Sequence, residues 1–193
     1  MPHAPRILVI AATSKELAAP AHTIGVLCGV GPVEAAAATT AAIAEHRPGL
    51  VLHVGIAGSR RAEALAAGTL VIGSHAEYSD LGQLPADWAS RLVTPPTPLL
   101  QAAQRALPQA VTLPIGTSAQ VGGTSGCPVE AMEGFGVLRA AERMGVPAIE
   151  VRAISNDIEE ADRTRWAFDT AFAAITAATP RLVSALEKLL PHA

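Results

Sequence analysis

No dense cluster of lysine or arginine occurs in this sequence, and its formal net charge is −3. That argues against nucleic acid or an anionic membrane as the main partner, since both select a basic face. No apolar run is long and continuous enough to cross a bilayer. The start, Met1-Pro2-His3 leading into Arg6, lacks the basic region, long apolar region and cleavage site of a secretory signal, so a cytoplasmic location is expected. Only two cysteines occur, Cys28 and Cys127. They read as reduced thiols packed as small side chains, not as nucleophiles. Six histidines are scattered without the short pair spacing of a zinc site, and no metal or cofactor is expected. A serine nucleophile has no support, because no Gly-x-Ser-x-Gly elbow is present. Aromatics make up 3% of the chain, a scarcity that carries no functional message. What is present is apolar: half of 193 residues, enough for one domain (residues 1–193) with a substantial core.

The order of apolar runs predicts six strands, over residues 6–12, 24–28, 50–54, 69–74, 111–115 and 148–154. Helices fall between them. Thr13-Ser14 is a natural N-cap for a short helix near Lys15-Glu16-Leu17. Pro32 and Glu34 suit the first turn of a helix over residues 32–45. Further helices are expected from Thr97 to Leu107, over residues 129–144, and over 163–190 with Pro180 as a candidate break. Residues 84–98 read as a surface excursion, and 116–128 as a long Gly/Ser/Thr-rich loop. The alternation argues an α/β layered fold with a central sheet. No repeat or linker divides it.

The chemistry concentrates in Val129-Glu130-Ala131-Met132-Glu133-Gly134-Phe135-Gly136. Two carboxylates stand one helical turn apart there. Two glycines follow, each costing roughly 1 kcal/mol in a helix interior, so something must approach the backbone closely. Read alone, Glu130 and Glu133 could be an acid–base pair. Three other segments converge on the same expected sheet edge, where open α/β sheets bind ligands. They are Glu16 after the first strand, a glycine-rich loop Gly55-Ile56-Ala57-Gly58-Ser59, and Ser155-Asn156 after the sixth strand. Each has an ordinary alternative: Glu16 as a helix-dipole carboxylate, the glycine loop as a tight turn. The acidic run at residues 157–162 reads as a solvated loop. Gly29-Val30-Gly31-Pro32 approaches a dinucleotide fingerprint, but Glu34 replaces the third glycine and no suitably placed acidic residue follows.

Taken together, Met132-Glu133, Val151-Arg152-Ala153-Ile154-Ser155-Asn156, the Gly29-Val30-Gly31 turn and Val54-Gly55-Ile56-Ala57-Gly58 resemble the nucleoside phosphorylase and methylthioadenosine nucleosidase superfamily. Within it, Glu130-Ala131-Met132-Glu133-Gly134 and Ile154-Ser155-Asn156 are most similar to the futalosine hydrolases. The resemblance implies a three-layer α/β/α fold with a central mixed twisted sheet. It implies hydrolysis of the N-glycosidic bond of futalosine, a menaquinone-pathway nucleoside, by a homo-oligomer of two or more chains. Implied catalytic residues are Glu16 (activating water), Glu133 (holding the ribose hydroxyls) and Asn156 (holding the base). Implied substrate-binding residues are Ala57, Gly58, Met132 beneath the sugar, Ser155, and Gln120, Val121 and Gly122 along the base. Adenine-specific relatives carry aspartate where this chain has Asn156. An amide offers one donor and one acceptor edge, which fits the O6 and protonated N7 of hypoxanthine and mismatches adenine. For the substrate's aromatic carboxylate tail, Arg60, Arg61, Arg163 and Arg165 are candidates, with exposed surface arginines the commoner reading. The rivals are a nucleosidase or phosphorylase acting on inosine or a methylthio-nucleoside, and a non-catalytic purine-nucleoside binding protein.

Overall fold

Strand β3 (Leu50–Ser59) is the axis of the molecule, pairing with three other strands along its ten residues. The computed structural model describes residues 6–82, 85, 88–123 and 126–191. Met1, Pro2 and His3 lie outside them, as do residues 84, 86 and 87 of the expected surface excursion and 124 and 125 of the expected loop. The other strands are β1 (Ile7–Ala11), β2 (Ile24–Leu27), β4 (Leu70–Tyr78), β5 (Leu92–Val93), β6 (Val111–Thr117), β7 (Val129–Ala131) and β8 (Ala148–Asp157). The helices are α1 (Pro32–His46), α2 (Thr97–Ala106), α3 (Gly134–Arg143) and α4 (Phe168–Leu186).

The sheet is mixed, with helices on both faces. β1 runs parallel to β2 and to the first half of β3, and β3 runs parallel to β8. β8 then pairs antiparallel with β4, and β4 parallel with β6. The short β7 joins β6 back to the far end of β3. Strands β3, β8, β4, β6 and β7 therefore close into a ring, a curl beyond the open layered sheet that alternation alone implies. Period-two alternation sorts the side chains. Ile7, Val9, Leu52, Val54, Ile149 and Val151 pack under α2 and α4. Leu8, Ile10 and Val51 pack under α1 and α3. Ala57, Val71, Ile115, Val129 and Ile154 form a third cluster.

Four local expectations need correction. Residues 13–16 form a turn with no helix, although Thr13 and Glu16 bond each other as a capping pair would. Gly55 to Ser59 is strand, not loop, because β8 and β7 take up its backbone groups. Residues 129–131 are β7, so Glu130 and Glu133 do not share a helix; Glu133 is the N-cap position of α3, and Gly134 and Gly136 stand in its first turn. Here tertiary pairing to β3 and β6 overrides helical periodicity. At the end, residues 163–165 form an isolated 3-10 turn, and α4 runs unbroken through Pro180.

Candidate active site

The carboxyl ends of β1, β3 and β8 open on one cavity of about 310 Å³. Glu16, Glu133 and Asn156 line it, as do Ala57, Gly58, Met132 and Ser155. Gln120, Val121 and Gly122 close another side. All ten residues singled out in the sequence thus face one space.

Glu16 is 4% exposed and tightly oriented. Its Oε2 accepts from the Thr13 amide (2.9 Å) and hydroxyl (2.7 Å), and its Oε1 from the Ile56 amide (3.1 Å). A carboxylate has about four acceptor positions. The one left over lies on Oε1. Glu133, also 4% exposed, accepts from the Gly31 amide on Oε1 and from Arg152 on Oε2, both at 3.2 Å. One acceptor position remains on each oxygen, a pattern suited to two neighbouring hydroxyls.

Behind Glu133 lies a buried charge network that sequence reading left without a role. Arg152, 1% exposed, donates Nε to Glu150 at 2.7 Å, Nη2 to Glu133, and Nη1 to the Ile56 carbonyl at 3.3 Å. Its Nη2 also meets His53 Nε2. His53 donates Nδ1–H to the Ile10 carbonyl at 3.1 Å, so Nε2 is the acceptor. Burial, reinforced by Arg152, lowers the His53 pKa well below 6.5 and keeps the ring neutral. Burial pushes the Glu150 carboxyl up, against the pull of Arg152. Burial also opposes the Arg152 charge, but Glu150 and Glu133 outweigh it and hold its pKa above the usual arginine range. Two glycines make room for this network. A Cβ on Gly55 would meet the Arg152 guanidinium, and one on Gly134 the Glu150 carboxyl. The close approach expected at Gly134 is therefore to a side chain of β8. The signal was legible as alternation: Glu150 and Arg152 are charged residues two apart in an otherwise apolar strand.

Asn156 is aimed by a bulge. The register of β3 on β8 shifts between Ala57↔Ile154 and Gly58↔Asn156, leaving Ser155 as the extra residue. Bulges of this kind redirect side chains. Ser155 Oγ lies 3.1 Å from the Ala57 carbonyl and 2.7 Å from Asn156 Oδ1, to which it donates. Asn156 Nδ2 donates to the Asp157 carbonyl at 2.9 Å. A carbonyl can only accept, so the amide orientation is determined. One N–H and one acceptor position remain.

The 118–123 segment is pinned at both ends. Asp80 accepts from Ser118 Oγ (2.7 Å) and the Ala119 amide (2.6 Å). Glu130 accepts from the amides of Gly122 (3.2 Å) and Gly123 (3.0 Å). Glu130 thus anchors this loop. Cys28 stands buried near Glu133, and burial, then Glu133, pushes its thiol up to about 12. It packs as a thiol, not a thiolate.

The remaining wall is aromatic: Trp166, Phe168 and Phe172. Sequence reading missed it, although three of the chain's six aromatic residues fall within seven positions there.

Comparison with known proteins adds three findings. The profile of the Phosphorylase superfamily matches residues 21–190. The chain is 38% identical to the futalosine hydrolase of Streptomyces coelicolor, over 85% of this chain and 80% of that protein. Two solved structures share the fold at a TM-score of 0.83. One is a 5′-methylthioadenosine/S-adenosylhomocysteine nucleosidase from Colwellia psychrerythraea in complex with adenine (21% identity, 95% and 96% of the two chains). The other is the futalosine hydrolase of Helicobacter pylori (16% identity, 94% and 98%).

Proposed function

The chain belongs to the phosphorylase superfamily, and on that premise we propose that it is a nucleosidase hydrolysing futalosine to hypoxanthine and dehypoxanthine futalosine, a step toward menaquinone. The observation that carries this reading is Asn156. Its oriented amide leaves one donor and one acceptor, which matches O6 and protonated N7 of a 6-oxopurine. Adenine would set its 6-amino group against the amide N–H, and an unmatched buried polar group costs about 1–3 kcal/mol.

In this reading Glu133 takes the 2′- and 3′-hydroxyls on its two remaining acceptor positions, with Met132 against the sugar. Glu16 receives a proton from the attacking water on Oε1. The water oxygen bonds to C1′ as the C1′–N9 bond breaks. The bonding pair passes into the purine, which leaves protonated at N7. The amide of Asn156 is no acid, so that proton comes from water or from another group. The cationic sugar in between is stabilised by the two carboxylates in a water-poor site. Hydrolysis is favoured over phosphorolysis because Arg152 is committed to Glu150, Glu133 and His53. Arg60 and Arg61 are turned to Glu159 and Asp157. Glu16 would also repel phosphate.

The proposal extends to a homo-oligomer in the cytoplasm. What supports self-association is two exposed apolar side chains, Val30 at 55%, which lines the cavity, and Val33 at 75%.

The test is incubation with futalosine, inosine and methylthioadenosine, with and without phosphate, identifying the base released. Hypoxanthine from futalosine without phosphate is expected. Adenine alone would overturn the assignment of Asn156, and a phosphate requirement would overturn hydrolysis.

A further inference from the structure

Base and sugar account for only part of the cavity. With the base at Asn156 and the sugar at Glu133, the segment 163–172 faces whatever else the nucleoside carries. Three rings form a continuous wall there. Trp166 and Phe168 have centroids 5.5 Å apart, and Phe168 and Phe172 stack at 6.1 Å. The wall is built in: Trp166 Nε1 donates to the Glu160 carbonyl at 3.0 Å, and the Ala167 amide to the Ser155 carbonyl at 2.8 Å. Its position relative to Asn156 is therefore set through the backbone.

A cation stands at each end. Arg163 lies over the Trp166 ring at 5.6 Å and lines the same cavity as Glu16 and Glu133. Lys15 lies over Phe172 at 5.7 Å but faces the outer groove. The four arginines that the sequence offered for a carboxylate separate cleanly. Arg60 is held by the Cys127 carbonyl and Glu159, Arg61 by Asp157, and Arg165 by Glu160 and Asp162. Arg163 has no ion-pair partner among the described residues. The neighbouring carboxylate, Asp162, is turned to the Thr164 amide and hydroxyl. A ring wall alone would take any apolar group. A guanidinium at its edge, forked for bidentate contact, adds a demand for a planar anion.

We infer that Arg163 and the wall of Trp166, Phe168 and Phe172 form a subsite for an aromatic carboxylate attached to the 5′ side of the sugar. The ring stacks along the wall and Arg163 takes the carboxylate. This rests on the nucleosidase reading for where the sugar lies.

Two measurements test it. The first needs no turnover: affinities of 3-acetylbenzoate and 3-acetylbenzamide are compared by ligand-observed NMR titration. The acid binds about tenfold more tightly to the wild type, the size of one charge-assisted contact. In Arg163→Gln that preference disappears, and Arg163→Lys restores part of it. Equal affinity for acid and amide, or no measurable binding of the acid, overturns the subsite. The second is the ratio of KM for futalosine to KM for inosine, which rises about tenfold in Arg163→Gln. An unchanged ratio in an active enzyme also overturns it. Preference for the acid in a protein that leaves futalosine intact would sink the proposed activity and keep the subsite.

Discussion

In the proposed function Asn156 reads the base, with an amide that its neighbours hold in one orientation. Asn156→Asp replaces the amide nitrogen with a carboxylate oxygen, which then faces both the Asp157 carbonyl and, in the proposed function, purine O6 without a proton to donate to either. A loss of about tenfold to a hundredfold in kcat/KM for futalosine is expected, the cost of one unmatched buried contact. Unchanged turnover of futalosine would remove the specificity argument. His53 bears on stability. Its folded pKa is depressed below 6.5, so below that pH the unfolded chain binds a proton that the folded one refuses. Stability then falls with decreasing pH, by up to about 1.4 kcal/mol per pH unit from this group. His53→Asn keeps a donor and an acceptor but cannot titrate, so its stability should fall less steeply between pH 6.5 and 5 in denaturant titrations. An equal slope would place the acid sensitivity elsewhere. At this scale the sequence was most legible in the convergence of Glu16, Glu133 and Asn156, which line one cavity. Arg152 and His53 were not legible as partners, because ninety-nine positions separate them and only the pairing of β3 with β8 brings them together.

Helix α3 carries Glu133 at its N-cap position, so its placement sets where the proposed sugar ligand stands. Gly136 lets it lie against α1: a Cβ there would meet the Pro32 carbonyl. The adjacent Gly31 amide holds Glu133. Gly136→Ala should force the helices apart at about 1–3 kcal/mol, lowering Tm by about 3–10 °C. It should lower kcat/KM as well, since Glu133 loses its seat. Both are checked by calorimetry and steady-state kinetics, and an unshifted Tm would mean that α3 slides freely. The helices α1 and α2 and the buried strand β1 were readable from Pro32 at a helix start and from apolar runs, although Thr97 is the first residue of α2 and Pro96 stands at the cap position. β7 was not: three residues are too few for any periodicity, and what makes them strand is β3 on one side and β6 on the other. The same limit hid the bulge at Ser155, which exists only in the register between two strands.

At the scale of the whole molecule, the layered α/β architecture followed from the alternation of apolar runs and from the family resemblance. The ring of strands did not, since closure depends on long-range pairing. That ring ties the site to the core, because Ile56, Ala57 and Gly58 lie on the strand whose first half is wholly buried. We therefore expect residues 6–191 to unfold as one unit. Calorimetry should show a single transition, and amide exchange should place β3 and β8 in the slowest class, with β5 and residues 118–123 exchanging first. Two resolved transitions would contradict this.

Ring closure also bears on self-association in solution. A strand with an unpaired side is a template for other chains. Among the described strands, β2 and β5 pair on one side alone, and they contribute four and two residues; β6 meets β7 only over its last three residues, so Val111 to Pro114 also keep one side unpaired. The longest and most apolar strands, β3 and β8, are flanked on both sides. A fold built around an apolar sheet thus keeps its stickiest backbone out of reach for as long as the ring stays shut. Mutations that loosen β7 should appear first as fibrils or precipitate, before any loss of secondary structure.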